Sequence, residues 1–167
     1  IKDMVNEGHE QGVLESSEAE MITNIFEFND KEAGDIMTHR KNIVALDGSM
    51  SLREAAYFVL KEAKNSRYPV YGKDLDDIIG TVHMRDVLFH AENLQESRME
   101  IANVPGVLRP AHFIPETRNI NSLFKEMQSQ KIHMEIVIDE YGQTAGIVTM
   151  EDILEEIVGN ILDEYDV

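Results

Sequence analysis

One phrase stated twice constrains this chain more than any other feature. Ile79-Gly80-Thr81-Val82-His83-Met84-Arg85-Asp86-Val87-Leu88 is answered by Ala145-Gly146-Ile147-Val148-Thr149-Met150-Glu151-Asp152-Ile153-Leu154, with identity at Gly80/Gly146, Val82/Val148, Met84/Met150, Asp86/Asp152 and Leu88/Leu154. Each identical pair lies 66 residues apart. In both statements an apolar strand runs directly into the first turn of a helix. A repeat of that length in 167 residues makes two copies of one supersecondary unit the organising principle of the fold.

Patterning fills in each copy. In the first, Asp35-Ile36-Met37-Thr38 leads to a short strand at Ile43-Val44-Ala45-Leu46. Ser51 and Glu54 form a capping box before a helix whose apolar face is Leu52, Ala55, Ala56, Val59, Leu60 and Ala63, ending near Asn65. Strands at 68–71 and 78–82 flank the turn-rich Gly72-Lys73-Asp74, and a helix over 84–91 closes the copy. The second copy repeats the order, with a strand at 112–114, a helix built on Ile120, Leu123, Phe124 and Met127, and strands at 136–138 and 147–148. Asp139-Glu140-Tyr141-Gly142 is the hairpin turn, Gly142 supplying the positive φ.

Residues 92–103 are polar and read as a connector. Residues 1–34 read as acidic linker helices, the second opening on a Ser17/Glu20 capping box and carrying a Met21, Ile22, Ile25 and Phe26 stripe in need of a partner surface. The expected architecture is α/β (α+β), with linker helices over 1–34 and repeats over 35–92 and 104–160. A unit of about 60 residues is marginal alone, so the two are expected to pack sheet to sheet about a pseudo-twofold axis.

Charge and composition exclude several functions. The 32 acidic residues outnumber the 15 basic ones and give a formal net charge of −17. That field repels nucleic acid and anionic lipid, and admits a small anion only where local donors overcome it. The absence of cysteine rules out disulfides, thiol catalysis and cysteine-based zinc sites, and suits a reducing compartment. No apolar run reaches the roughly 18 residues of a membrane span, and no signal peptide is expected. The chain opens within a helical pattern and without an initiator Met, as expected of a piece of a longer protein. No nucleophile with an adjacent base, phosphate-binding Gly-rich loop or HExxH motif supports an enzyme.

As a set, Asp35-Ile36-Met37-Thr38, Ser66-Arg67-Tyr68-Pro69-Val70-Tyr71, His133-Met134-Glu135-Ile136-Val137-Ile138-Asp139-Glu140-Tyr141-Gly142 and residues 146–159 resemble the CorC/HlyC-like magnesium and cobalt transporter family, related to the cyclin M proteins. The resemblance covers essentially the whole chain. It implies a tandem pair of cystathionine-β-synthase (CBS) domains, a Bateman module, forming the cytosolic part of an inner- or plasma-membrane protein. A transmembrane domain would precede the acidic helices and a small domain often follows. It further implies a homodimer and an adenine nucleotide, ATP or AMP, in the cleft between the repeats, with ATP binding tied to metal-ion transport. His39, Glu135 and Gln143 depart from the family pattern, and the first two are expected to flank the cleft.

Four residues are candidates for that ligand. Thr149 and Asp152 are a capping box by spacing alone; the same geometry offers N–H groups and the positive helix end to phosphate, and a carboxylate to both ribose hydroxyls. Both readings can hold together. Arg67 is a solvated arginine on the plain reading, and on the resemblance a phosphate ligand facing Thr149 and Asp152. Thr38 is either a turn residue or, on the resemblance, part of the segment against the adenine. The pseudo-twofold gives a second cleft with His133, His83 and Asp86, whose neutral imidazoles would hold phosphate weakly. Mg2+ is expected to accompany the nucleotide, because it lowers the charge of the approaching phosphates. His83, Asp86 and His90 lack a fourth metal ligand, so no metal site is expected there. The leading function is a non-catalytic regulatory module controlling a membrane-embedded transporter; the alternative is a structural dimerisation module with empty clefts.

Overall fold

The computed structural model describes residues 18–19 and 30–165, with side chains of the last helix described through Val158. The Ser17/Glu20 box and the Met21, Ile22, Ile25 and Phe26 stripe lie outside those residues. The elements run α1 (Ala33–Ile36), β1 (Thr38–His39), a 3-10 turn (Arg40–Asn42), β2 (Leu46–Asp47), α2 (Leu52–Glu62), β3 (Arg67–Tyr71), β4 (Ile78–His83), α3 (Met84–Ala91) and α4 (Leu94–Ser97). A second 3-10 turn (Ile101–Asn103), β5 (Phe113–Pro115), α5 (Ile120–Gln130), β6 (Met134–Ile138), β7 (Thr144–Thr149) and α6 (Met150–Tyr165) follow.

Two compact units result. The first-repeat unit comprises Arg40–Phe113 with Tyr141–Thr144; the second-repeat unit comprises Ile1–His39, Ile114–Glu140 and Ala145–Val167. The segment carrying α1 and β1 therefore folds with the second repeat.

In the first-repeat unit β2 pairs parallel to β3 and β3 antiparallel to β4, with Arg67 opposite His83 and Val70 opposite Gly80. Parallel neighbours need a crossover, and α2 supplies it. Leu52, Ala55, Ala56 and Val59 on one helix face close over Leu46, Tyr68, Val70, Val82 and Val87. The helix ends at Glu62 rather than near Asn65, because Ala63 turns left-handed at φ 52° and returns its N–H to Val59. Buried Tyr68 locks that end, donating its hydroxyl to the Glu62 carboxylate while 3.0 Å from the Asn65 carbonyl. The expected strand at 43–46 moves to Leu46–Asp47, since the preceding chain is taken by the 3-10 turn, to whose Arg40 carbonyl Ile43 donates.

The expected connector is also corrected. Asn93 caps the short α4, the Met99 carbonyl accepts from Leu52 N–H at 2.8 Å, and Ile101, Val104 and Val107 are buried in the first-repeat core. Three apolar residues at a spacing of three, with Met99 packed against the same core, anchor the stretch.

In the second-repeat unit the sheet order is β1-β7-β6-β5. Its core joins Ala33, Ile114, Ile120, Leu123, Met127, Val137, Val148 and Ile153. Asn119 caps α5 by accepting from Ser122 N–H at 3.0 Å, and Lys131 ends it at φ 56°. Gly142, in the turn between β6 and β7, takes φ 79°, as the sequence requires.

Candidate functional site

Strand β7 ends where α6 begins, and that junction is built as a reciprocal capping box. Thr149 N–H donates to Asp152 Oδ2 at 3.1 Å, and Asp152 N–H donates to Thr149 Oγ1 at 3.2 Å. Met150 N–H is taken by the His133 carbonyl at 3.1 Å. The expectation of free N–H groups beside Thr149 is therefore corrected at these three positions, since each already serves the helix start. What the half-buried pair still offers is side-chain chemistry. The Thr149 hydroxyl accepts one bond and retains its own proton to donate, and the Asp152 carboxylate has acceptor capacity for several more donors.

Thr38 is brought to the same sheet. In the antiparallel β1/β7 ladder it stands opposite Ile147, with His39 opposite Gly146. Thr149 is thus two residues beyond Thr38's partner and on the same strand face, about 7 Å further along. Gly146 makes the approach possible: a Cβ there would lie 2.3 Å from the Thr38 carbonyl oxygen and 2.7 Å from Met37 Sδ. Thr38, Thr149 and Asp152 are therefore gathered in one unit, while Arg67 belongs to the other, on β3.

The first repeat reproduces the scaffold with different chemistry. At Gly80 a Cβ would lie 2.5 Å from the Arg109 carbonyl oxygen, so here residues 108–109 cross the strand as 37–38 cross β7. Met84 N–H is held by the Ser66 carbonyl at 2.7 Å, matching Met150 and His133. The cap is His83, whose Nδ1 accepts from Arg85 N–H at 2.9 Å, which assigns the ring proton to Nε2. Burial and the guanidiniums of Arg67, Arg85 and Arg109 hold the His83 pKa below its ordinary value, against a smaller opposing pull from Asp86. Asp86, the counterpart of Asp152, accepts from Arg109 Nη2 at 2.7 Å. Where the sequence reading set only imidazoles beside Asp86, the structure sets guanidiniums. Arg109 had no motif to announce it, because it reaches the site through the repeat linker. His90, the third residue of the metal set considered above, lies 2.7 Å from Glu96 through Nδ1. Among the described residues no group of three His, Cys, Asp or Glu side chains is placed to hold a metal ion.

Glu135, expected to flank the cleft, is buried. It shares a face of β6 with the core residue Val137, is 1% exposed, and leaves Oε1 without a hydrogen-bond partner. Burial, reinforced by the Glu126 carboxylate and opposed by Arg118, pushes its pKa up to about 7.

Paired helix starts fed by strands, each notched by a glycine under a crossing segment, define a tandem module of one repeated fold. The CBS-domain family matches at residues 33–93 and 101–159, and the chain belongs to that family. It is 36% identical, with a TM-score of 0.84, to the CBS domain of a bacterial CNNM/CorC family Mg2+ transporter, covering 95% of this chain and 93% of that one. It is 38% identical to such a domain solved in complex with ATP, with a TM-score of 0.75, over 84% of this chain and 96% of that one. The magnesium and cobalt efflux protein CorC of Vibrio cholerae is 34% identical over 166 residues, 99% of this chain. These likenesses place the module in the CNNM/CorC branch, as a non-catalytic domain. The chain spans 55% of the length of the Vibrio protein and 38% of that of a UPF0053 relative from Mycobacterium tuberculosis. Among the described residues no helix is long and apolar enough to cross a membrane.

Proposed function

We propose that the chain binds an adenine nucleotide and thereby controls a magnesium or cobalt transporter whose membrane domain it adjoins on the cytosolic side. The observation that carries the reading is the contrast between two homologous aspartates. Asp86 is engaged by a guanidinium, whereas Asp152 is oriented by a backbone N–H beside a hydroxyl and the crossing Thr38. A carboxylate so held is preorganised to accept the two hydroxyls of a ribose. The ATP complex of a domain 38% identical to this one supports the ligand class. The proposed ligand residues are Thr38, Thr149 and Asp152, with Arg67 as the phosphate cation and Mg2+ on the phosphates.

Titration calorimetry with ATP, ADP and AMP, with and without Mg2+, tests the proposal. Saturable binding that Asp152→Asn weakens is expected. A chain that takes up none of the three is a dimerisation scaffold, the competing reading.

A homodimer also belongs to the proposal. Tyr57, Leu60, Phe89 and Leu94 are 61–71% exposed in the first-repeat unit, more bulky apolar surface than a monomer of this size leaves to water without a use.

A further inference from the structure

We propose that Arg40 and Asp76 are positioning residues for the nucleotide site, clasping the backbone of Thr144 so that β1, and with it Thr38, keeps its register on β7. The inference rests on the nucleotide reading above.

The clasp takes both main-chain groups of one buried residue. Thr144 is 3% exposed; its N–H donates to Asp76 Oδ1 at 3.1 Å, and its carbonyl accepts from Arg40 Nη1 at 3.0 Å. Arg40 closes the ring by bonding both Asp76 oxygens, Nη1 to Oδ1 and Nη2 to Oδ2 at 3.4 Å. Asp76 is itself seated in a braced turn, its N–H donating to Asp74 Oδ1 at 2.9 Å, while Gly72 N–H donates to the Asp77 carbonyl at 2.8 Å. Arg40 holds the Asp76 carboxyl below its usual pKa, so the pair is ionised at neutral pH.

The need for a clasp follows from the length of β1. It has two residues and two ladder positions, Thr38 to Ile147 and His39 to Gly146. A slip of one residue would turn Thr38 to the other sheet face, and two pairs give little resistance to it. The preceding end is fixed through α1, where Ala33 and Gly34 donate to the Arg118 and Glu116 carbonyls at 2.8 and 2.9 Å. At the other end the main chain leaves the ladder at Arg40 for the 3-10 turn. The Arg40 side chain reaches Thr144 instead, so a guanidinium continues the ladder that the backbone abandons. The two side chains are 41% and 34% exposed. Exposed pairs add little to global stability, so the clasp's effect is local to the strand it grips.

Arg40→Ala and Asp76→Asn in the 167-residue chain test this. Without ligand, amide exchange at 145–147 should accelerate roughly ten-fold in both variants, with the melting temperature within about 3 °C of the parent. ATP and AMP should both weaken by the same factor, roughly ten-fold, because the loss lies at the Thr38 end rather than at the phosphates. Arg67→Ala should instead weaken ATP more than AMP. If the parent binds nucleotide while both variants match its exchange and its affinity within about two-fold, the proposal is overturned. A loss confined to ATP also overturns it. A parent that binds no nucleotide overturns the nucleotide reading and this role with it, whereas binding lost only in the variants separates the two.

Discussion

Two aspartates that occupy the same place in the repeat should answer substitution differently. Asp152→Asn keeps the capping geometry but removes the charge, and should weaken nucleotide binding by about 1.5–3 kcal/mol, the range for hydrogen bonds to a charged group. Asp86→Asn should leave affinity within about two-fold, since it releases Arg109 instead of a ligand. Calorimetry on both variants reads the difference, and the reverse order of effects would move the site to the first repeat. Glu135 gives the pH dependence. Its pKa is raised to about 7 from an ordinary 4.5, so between those values the folded chain keeps a proton that the unfolded chain has released. Stability from this group is full below about pH 4.5, falls as pH rises, and is lost above about pH 7, by an upper figure of about 3 kcal/mol. Glu135→Gln should therefore flatten the melting temperature between pH 5 and 8 and raise it at pH 8. A parent and variant with parallel pH curves would show that the carboxyl finds a partner on ionising.

Helices α2 and α5 each end on a residue that pays for its place in backbone strain. Ala63 and Lys131 sit at φ 52° and 56°, where a Cβ is disfavoured and glycine is not. Ala63→Gly and Lys131→Gly should each stabilise by roughly 0.5 kcal/mol, the relieved strain less glycine's greater freedom when unfolded. Chemical denaturation would show it as a higher midpoint with an unchanged slope. Neither end was legible beforehand, because the sequence carries no glycine there to announce it. What the sequence did disclose were features with a local cause: the helix starts at Ser51 and Thr149 and the turn at Gly142 are each set by a few adjacent residues. Arg109 at Asp86, the burial of Ile101 and the raised pKa of Glu135 were hidden because each depends on chain that is distant in sequence.

At the scale of the molecule the net charge of −17 governs how a nucleotide arrives. A triphosphate meets an opposing potential, and a divalent ion on its oxygens reduces the repulsion before contact. ATP affinity should accordingly be higher with Mg2+ than in excess chelator, and equal or tighter binding without the ion would contradict the proposed Mg2+ partnership. Light scattering at micromolar concentration should give twice the chain mass, and a single species at 19.0 kDa would remove the dimer. The allocation of α1 and β1 to the second-repeat unit has a consequence for how the chain is made. Synthesis delivers Ala33, Ile36 and Met37 long before Val148 and Ile153, against which they are finally packed. Residues 40–113 of the first-repeat unit can form on the ribosome while this leading segment waits with its apolar side chains uncommitted. A truncation that starts after residue 39 would then spare the repeat that follows it directly and cripple the one at the far end of the chain.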